Sequence, residues 1–235
     1  MMLSPVAQET LEKLRQTSTA TLTSQLLKRG FARTFMTGVR PLRPHDRMVG
    51  AAFTLRYVPA REDLDRGVEF DNETNVQRIA VERVGPGEVL VIDARGDLSA
   101  ATLGNILAAR LRVRGAAGIV TDGAFRDGAR IAEEPLPSYC RGAHAAISST
   151  AHHPTDLQVT IGCGGVMVVP GDIVVGDDEG VVVIPRHVAA EVADAAFAQE
   201  QLEEFILAKV RAGASIKGVY PPTDEVRAEF ERSRQ

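Results

Sequence analysis

The hydrophobic positions of this chain change their spacing along its length. Short apolar runs typical of buried strands occupy residues 49–58, 89–92 and 117–120. Helical spacing of apolar residues prevails in residues 6–29 and again in a long stretch, residues 187–212. The order is helices, mixed strands and helices, a strand-rich half, and a long helix. It predicts a layered α/β (α+β) domain and argues against a regular doubly wound sheet.

We expect one domain over residues 1–235, with an N-terminal helical region in residues 1–47 and a C-terminal arm in residues 214–235. The Ser/Thr cluster at residues 17–19 is a natural helix N-cap, so it predicts a break between two N-terminal helices. The arm is short and charged, and we expect it to pack on a neighbouring subunit or to stay loose.

The central stretch, residues 93–127, has the order strand, loop, helix, strand, loop. A first apolar run ends at Asp93, and a helix is predicted to begin at Gly104 and to end at Gly115. The apolar residues near helical spacing in it are Ile106, Leu107, Leu111 and Val113. A second apolar run leads to Arg126 and Asp127. In such a unit both strand ends and the helix start converge on one edge, where ligands of α/β sheets bind.

The side chains at this edge have a specific chemistry. A helix N-terminus has free N–H groups and partial positive charge, which suit a carboxylate or an enolate oxygen. Arg126 has a fork of donors that matches a carboxylate. Asp127 is a hard oxygen ligand suited to Mg²⁺ or Mn²⁺. Together these groups predict a site for a small α-keto acid.

A plainer interpretation exists for each of these residues. Arg126–Asp127 is also typical of a surface ion pair, and Gly104 of a tight turn. Asn105 is a common N-cap residue. Asp93 and Asp97 are equally consistent with residues that only shape their loop.

Three other features invite a ligand hypothesis. His144, His152 and His153 suggest zinc, but they lack the helical context of a zinc protease, so exposed loop residues in an irregular segment, 141–158, are the preferred interpretation. The acidic residues 177–180 suggest a cation site, yet without calcium-loop spacing a hairpin turn is favoured. Arg56 interrupts a predicted strand, and an ion pair is favoured over a ligand contact.

Composition narrows the function classes. The net charge is −4, so nothing indicates a nucleic-acid surface, and no apolar run is long enough to span a membrane. The N-terminus lacks the pattern of a signal peptide. Cys140 and Cys163 have no metal-binding spacing, and we interpret them as reduced, buried thiols of a cytoplasmic protein.

Three segments resemble a known family: TATLTSQLLKRG, GNILAARLRVRGAAGIVTDGAFRD and PGDIVVGDDEGVVVIP. They are similar to the ribonuclease-activity-regulator A-like (RraA-like) family. That family also contains divalent-metal 4-hydroxy-4-methyl-2-oxoglutarate aldolases and oxaloacetate decarboxylases. The likeness covers most of the chain.

The resemblance implies a swivelling β/β/α fold, a homotrimer or a hexamer of two trimers, and an active site between subunits. It implies that Asp127 binds Mg²⁺ or Mn²⁺, otherwise ligated mostly by water, and that Arg126 holds the keto-acid end of the substrate. A glutamate from the neighbouring subunit's C-terminal helix, Glu200 or Glu203, is implied to close the site. The backbone amides implied to receive the pyruvate carboxylate are those of Gly104, Asn105, Ile106 and Leu107.

One position departs from the family pattern. The aldolases usually have an acid where this chain has Asn105, and an amide cannot transfer protons near neutral pH. Asp97 or a neighbour's glutamate are candidates to substitute. The resemblance therefore predicts a metal-dependent lyase that forms pyruvate from a 4-hydroxy-2-oxo acid, from oxaloacetate or from both. The alternative is a non-enzymatic regulator that binds an endoribonuclease.

Overall fold

A twelve-residue strand, Met48–Pro59, is the centre of the main sheet. The structure, a computed structural model, describes residues 6–65 and 71–234. Within these ranges the α-helices are α1 (Gln8–Arg15), α2 (Thr19–Lys28), α3 (Val76–Arg83), α4 (Asn105–Val113), α5 (Gly128–Glu133), α6 (Ala189–Arg211) and α7 (Asp224–Ser233). The strands are β1 (Arg40–Pro41), β2 (Met48–Pro59), β3 (Glu88–Asp93), β4 (Ala101–Leu103), β5 (Gly118–Thr121), β6 (Ala124–Phe125), β7 (Ser138–Cys140), β8 (Gly142–Ala143), β9 (His152–Leu157), β10 (Ile161–Cys163), β11 (Val166–Val168), β12 (Ile173–Asp177) and β13 (Gly180–Ile184).

The main sheet has parallel strands in its middle and antiparallel strands at its edges. Its order is β1-β7-β5-β3-β2-β12-β13, and β9 pairs with the second half of β2. The strands β7, β5, β3 and β2 are parallel to one another. A second sheet, β4-β6-β8, is also parallel, and β10 and β11 form a separate hairpin.

Alternate residues of β2 point to opposite faces of the main sheet, and each face has its own apolar layer. Phe53 and Leu55 contact the buried sides of α3, α4 and α5. Val49 lies on the same face and packs with α1, α2 and α6. Ala52 faces the other way, toward the β10–β11 hairpin. The layers are therefore hairpin, sheet and helices, which confirms the predicted β/β/α arrangement.

Local signals near the N-terminus and at the acidic turn agree with the structure. Ser18 accepts a hydrogen bond from Thr21 N at 3.2 Å and is the N-cap of α2. Residues 177–180 form the predicted hairpin turn between β12 and β13. Asp177 also accepts hydrogen bonds from Thr19 N at 2.7 Å and Thr19 Oγ1 at 2.8 Å, so this turn holds the start of α2. The helix predicted over residues 187–212 is α6.

The segment of residues 141–158 was predicted to be irregular, with its histidines exposed, and this prediction is wrong. It contains β8 and β9, and β9 pairs antiparallel with β2. His152 is fully buried, its ring stacks on Tyr57 with centroids 5.5 Å apart, and its Nε2 lies 3.1 Å from Ala100 O. His153 bonds Asp65 instead, and His144 Nδ1 accepts from Ala146 N. The three histidines therefore have separate partners.

The C-terminal arm is not loose, which was one of the two predicted alternatives. Helix α7 packs on α6 of its own chain. Phe230 is buried with its ring 5.6 Å from that of Phe205, and Lys209 forms an ion pair with Glu229. Apolar residues at helical spacing in a short charged helix account for this docking.

Two of the apolar residues that lie near helical spacing in α4 are exposed. Ile106 is 76% exposed and Val113 is 68% exposed, while Ala108 and Leu111 are buried against the sheet. The prediction for Arg56 is confirmed: it is half exposed and lies 4.0 Å from Asp156 on the paired strand β9. In the described ranges, no helix combines the length and apolar character needed to cross a membrane.

We predict that His152 makes stability depend on pH. Burial lowers the pKa of His152, so as the pH falls below about 6.5 the unfolded chain binds this proton before the folded chain does. Acidification from about pH 7 to about pH 5 should therefore lower the melting temperature of the wild type more steeply than that of His152→Gln.

Burial raises the pKa of the Asp122 and Asp172 carboxyl groups, so their protonation favours the folded state as the pH falls. Both carboxyl groups are present in the wild type and in His152→Gln, so they do not account for a difference between the two proteins. Thermal unfolding followed by circular dichroism over this range measures the difference. Above about pH 7.5 the plots of melting temperature against pH should run parallel for the two proteins, since an ordinary imidazole is neutral there. Parallel curves throughout the acid range would show that His152 does not contribute.

Candidate active site

A cavity of about 220 Å³ opens beside the N-terminus of α4. The first turn of this helix and its cap, residues 104–107, form one wall, and Arg126 and Asp127 form the next. Gln77 and Arg78 at the start of α3 line a third side. The structure therefore places Arg126 and Asp127 at one cavity with the start of α4.

The second sheet places Arg126 and Asp127 at this helix end. Strand β6 runs parallel to β4 with Phe125 opposite Leu103, and Arg126 N donates to Leu103 O at 3.0 Å. Asp127 then adopts the left-handed conformation, φ 58° and ψ 33°, which aspartate tolerates better than most residues. The reversal ends the strand, and α5 begins at the next residue.

Gly104 allows these two side chains to reach the helix. Its backbone is extended, a conformation open to any residue, so glycine is needed here because it leaves room for neighbouring side chains. A Cβ built at this position would lie 3.0 Å from Arg126 Cγ and 3.3 Å from Asp127 Oδ2. Arg126 and Asp127 therefore lie directly on the N-cap of α4, in room that a methyl group would fill.

The site combines positive groups with one carboxylate. The first hydrogen bond of α4 runs from Ala108 N to Gly104 O, so the amides of residues 105–107 have no acceptor within the helix. Arg126 Nε lies 3.5 Å from Asp127 Oδ2, and both side chains are about two-fifths exposed. This is a loose contact that leaves donors of the guanidinium and lone pairs of the carboxylate available to a ligand.

The residues around this cavity fall within a stretch that matches a known protein family. The sequence pattern of the RraA-like family, described as Aldolase/RraA, matches residues 19–183. The chain belongs to the RraA-like family. The matched region contains Gly104, Arg126 and Asp127, whereas α6 and α7 lie beyond it.

The chain is also similar to individual proteins and solved structures, which match different shares of its length. A protein of Halalkalibacterium halodurans, provisionally named 4-hydroxy-4-methyl-2-oxoglutarate aldolase, is 36% identical over 148 residues, which are 63% of this chain and 64% of that protein. The solved structure of RraAS2 from Streptomyces coelicolor, described as an unusual member of the RNase ES inhibitor RraA protein family, is 35% identical with a TM-score of 0.77. It covers 87% of this chain and 98% of that one. A structure from Pseudomonas syringae pv. tomato has a TM-score of 0.80 at 28% identity, over 93% of this chain and 100% of that one.

The donor set suits one kind of metal ion. No group of three or more His, Cys, Asp or Glu side chains able to hold a metal occurs among residues 6–65 and 71–234. Asp127 is the one carboxylate from those ranges on the cavity wall. The described residues therefore do not surround a metal ion with protein ligands alone. Mg²⁺ does not require this, because it commonly keeps several water molecules and binds one or two carboxylates plus substrate oxygens. The cavity fits such a water-rich Mg²⁺ or Mn²⁺ site.

Several predicted site residues lie elsewhere in the chain. Glu200 accepts hydrogen bonds from Ser18, the N-cap of α2, and Glu203 accepts one from Gln199 within α6 itself. Neither lines the cavity of its own chain.

Asp97 forms part of a turn and not of the cavity wall. Its carboxylate accepts from the backbone and hydroxyl of Ser99, and these bonds lower its pKa. The hypothesis that Asp97 replaces the missing acid finds no support in this geometry.

Sequence reasoning missed several residues that line the cavity. Gln77 and Arg78 lie on the cavity wall although no candidate site residue was predicted in their segment from the sequence. Ile147 and Ser148 line it as well, at a short 3₁₀ turn. No spacing in the sequence connects these positions to residues 104–127, because their proximity depends on how the strands pair.

Sequence reasoning also missed a buried aspartate behind the site. Asp122 follows β5 and accepts hydrogen bonds from Ala94 N at 2.8 Å, Gly96 N at 3.0 Å and Gly164 N at 3.3 Å. Burial raises its pKa, although these three backbone donors oppose the shift. Asp122 thereby joins the loop after β3 to the β10–β11 hairpin and fixes the edge from which the site is built.

We predict that Gly104→Ala weakens ligand binding without unfolding the protein. The added methyl group displaces Arg126 or Asp127, so affinity for pyruvate in the presence of Mg²⁺, measured by calorimetry, should fall about tenfold or more. The melting temperature should change little, since alanine accepts the extended backbone here.

Gly162→Ala is the matched control for this substitution. No atom lies within 4 Å of a Cβ at Gly162, and its backbone is not left-handed. This variant should bind pyruvate like the wild type. Unchanged affinity in Gly104→Ala would mean that the contact with Arg126 and Asp127 is irrelevant to binding.

Proposed function

We propose that this protein is a divalent-metal-dependent lyase that breaks a C–C bond of a 4-hydroxy-2-oxo acid, of oxaloacetate or of both, and releases pyruvate. The observation that carries the proposal is the packing of Arg126 and Asp127 on Gly104 beside the free amides of α4. The name of the Halalkalibacterium relative supports the same class of reaction.

Each group of the cavity has a part in this proposal. The amides of residues 105–107 receive the substrate carboxylate at the positive end of α4. Arg126 donates to the keto-acid end and stabilises the negative charge that develops there when the bond breaks. Asp127 would hold Mg²⁺ or Mn²⁺, an ion that commonly takes only one or two protein carboxylates. When bound, the ion supplies Lewis-acid polarisation of the keto oxygen.

Proton transfer separates the two substrate classes. Decarboxylation of oxaloacetate releases CO₂ and leaves pyruvate enolate, so no base is needed before the bond breaks. Retro-aldol cleavage requires a base for the 4-hydroxyl proton, and Asn105 on the cavity wall cannot accept it. We propose that Glu200 or Glu203 of a neighbouring subunit supplies this carboxylate.

An oligomer follows from the same proposal, as a homotrimer or a hexamer of two trimers. Ile106 borders the cavity and is largely exposed, and Val113 extends this exposed apolar side of α4. A neighbour that covers them would also exclude water from the cavity.

Asp127→Asn tests the proposal. The substitution keeps the shape of the side chain but removes its charge, so Mg²⁺-dependent pyruvate release from oxaloacetate or a 4-hydroxy-2-oxo acid should fall about 100-fold or more. A coupled lactate dehydrogenase assay, with and without a chelator, measures the rate.

Asp156→Asn is the matched control, because Asp156 belongs to another Arg–Asp pair of similar exposure, with Arg56. It should retain wild-type turnover. Metal-dependent turnover that survives in Asp127→Asn would eliminate Asp127 as the metal-holding group.

The second candidate function is inhibition of an endoribonuclease. It is favoured by the similarity to Streptomyces RraAS2 over 87% of this chain, since that protein is assigned to an RNase ES inhibitor family. Adding the purified protein to an RNA-cleavage assay with an RNase E-type enzyme distinguishes the two. Inhibition that is equal for wild type and Asp127→Asn, together with no pyruvate release by either, would support the regulator.

A further inference from the structure

Gln77 is a buried polar residue on the wall of the candidate active site. It lies in the first turn of α3, is 3% exposed, and borders the same cavity as Arg126 and Asp127. The proposed roles of Arg126, Asp127 and the α4 amides do not use it. A buried amide needs hydrogen-bond partners, so its own contacts indicate what it is placed to do.

The amide nitrogen of Gln77 is held from behind by two acceptors. Gln77 Nε2 donates to Tyr57 Oη at 2.9 Å and to the main-chain oxygen of Thr102 at 2.5 Å. Tyr57 Oη in turn donates to the same Thr102 oxygen at 3.0 Å. Both hydrogens of the amide nitrogen are therefore used inside the protein.

The supports of this network are themselves rigid. Tyr57 is fully buried and stacked on His152, and burial raises its pKa, so its hydroxyl stays a donor. Thr102 is fully buried, and its Oγ1 donates to Ala124 O at 3.0 Å, two residues before Arg126. The orientation of the Gln77 amide is thus coupled to the strand that presents Arg126.

This arrangement fixes which end of the amide is available. A carbonyl oxygen such as that of Thr102 can only accept, so the nitrogen of Gln77 must face it and Oε1 must point elsewhere. No donor within the described ranges reaches Gln77 Oε1. The free group at this wall is an acceptor without a charge, which suits a hydroxyl and disfavours a carboxylate.

We propose that Gln77 is a specificity-determining residue that accepts a hydrogen bond from the 4-hydroxyl group of a 4-hydroxy-2-oxo acid. This inference rests on the proposed lyase function and narrows its substrate class. It assigns Gln77 to binding and orientation of the hydroxyl and not to removal of its proton. Oxaloacetate has a carboxylate and no hydroxyl beyond its three-carbon end, so it gains nothing from this acceptor.

Gln77→Met provides the test, because methionine is also unbranched and of similar length but accepts no strong hydrogen bond. The value of kcat/KM for 4-hydroxy-4-methyl-2-oxoglutarate should fall about 5- to 100-fold, the range for an unpaired hydroxyl in a buried site. Inhibition by pyruvate, which lacks the hydroxyl, should change less than about twofold. Turnover of oxaloacetate should also change less than about twofold. The ratio of kcat/KM for the hydroxylated substrate to that for oxaloacetate should therefore fall.

Tyr57→Phe is a second variant that keeps Gln77 in place. It removes one of the two acceptors that orient the amide, so a smaller loss is expected, again confined to the hydroxylated substrate. A purely structural role of Gln77 would instead weaken pyruvate binding and both reactions together.

The outcomes separate this inference from the function on which it rests. If the wild type releases no pyruvate from either substrate with Mg²⁺, the lyase proposal fails and this inference fails with it. If the wild type is active and the substrate ratio is unchanged in Gln77→Met, only the role of Gln77 is overturned. If neither variant folds, the binding of two ligands that differ only in the hydroxyl group is compared on the wild type. Equal binding of 4-hydroxy-2-oxopentanoate and 2-oxopentanoate would then overturn the role of Gln77.

Discussion

The contact of Arg126 and Asp127 with the side-chain-free N-cap of α4 is the constraint on which the candidate site depends. It requires that Gly104 lack a Cβ, that β6 lie parallel to β4, and that Asp127 reverse the chain in the left-handed conformation. Together these conditions place a cation, a carboxylate and three free amides around one small space. The partial positive charge at the N-terminus of α4 then adds to the charge of Arg126.

Buried polar groups behind the cavity make this arrangement rigid. Asp122 joins the loop after β3 to the β10–β11 hairpin through three backbone donors. Tyr57 and Thr102 hold Gln77, and Thr102 also contacts the strand that leads to Arg126. Since each group has its partners within the protein, the site does not need a ligand to orient its walls. Such preorganisation is what stabilisation of a developing negative charge requires.

Local pattern was enough to predict the layered fold, α4, α6 and the shared edge of Gly104 with Arg126 and Asp127. The helices follow from local spacing and caps, and the shared edge follows from the order of strand, helix and strand along the chain. The strand that buries His152 could not be predicted because its sequence is polar and its pairing with β2 is long-range. Gln77 was missed for the same reason: its partner Thr102 lies 25 residues away, and no local signal links them.

A crystal structure of the protein with Mn²⁺ and oxalate, a stable mimic of pyruvate enolate, would test the proposed site most directly. We predict that Mn²⁺ contacts Asp127, and that oxalate binds between Arg126 and the amides of residues 105–107. An occupied metal site elsewhere in the molecule, or oxalate bound without Arg126 and those amides, would contradict this assignment.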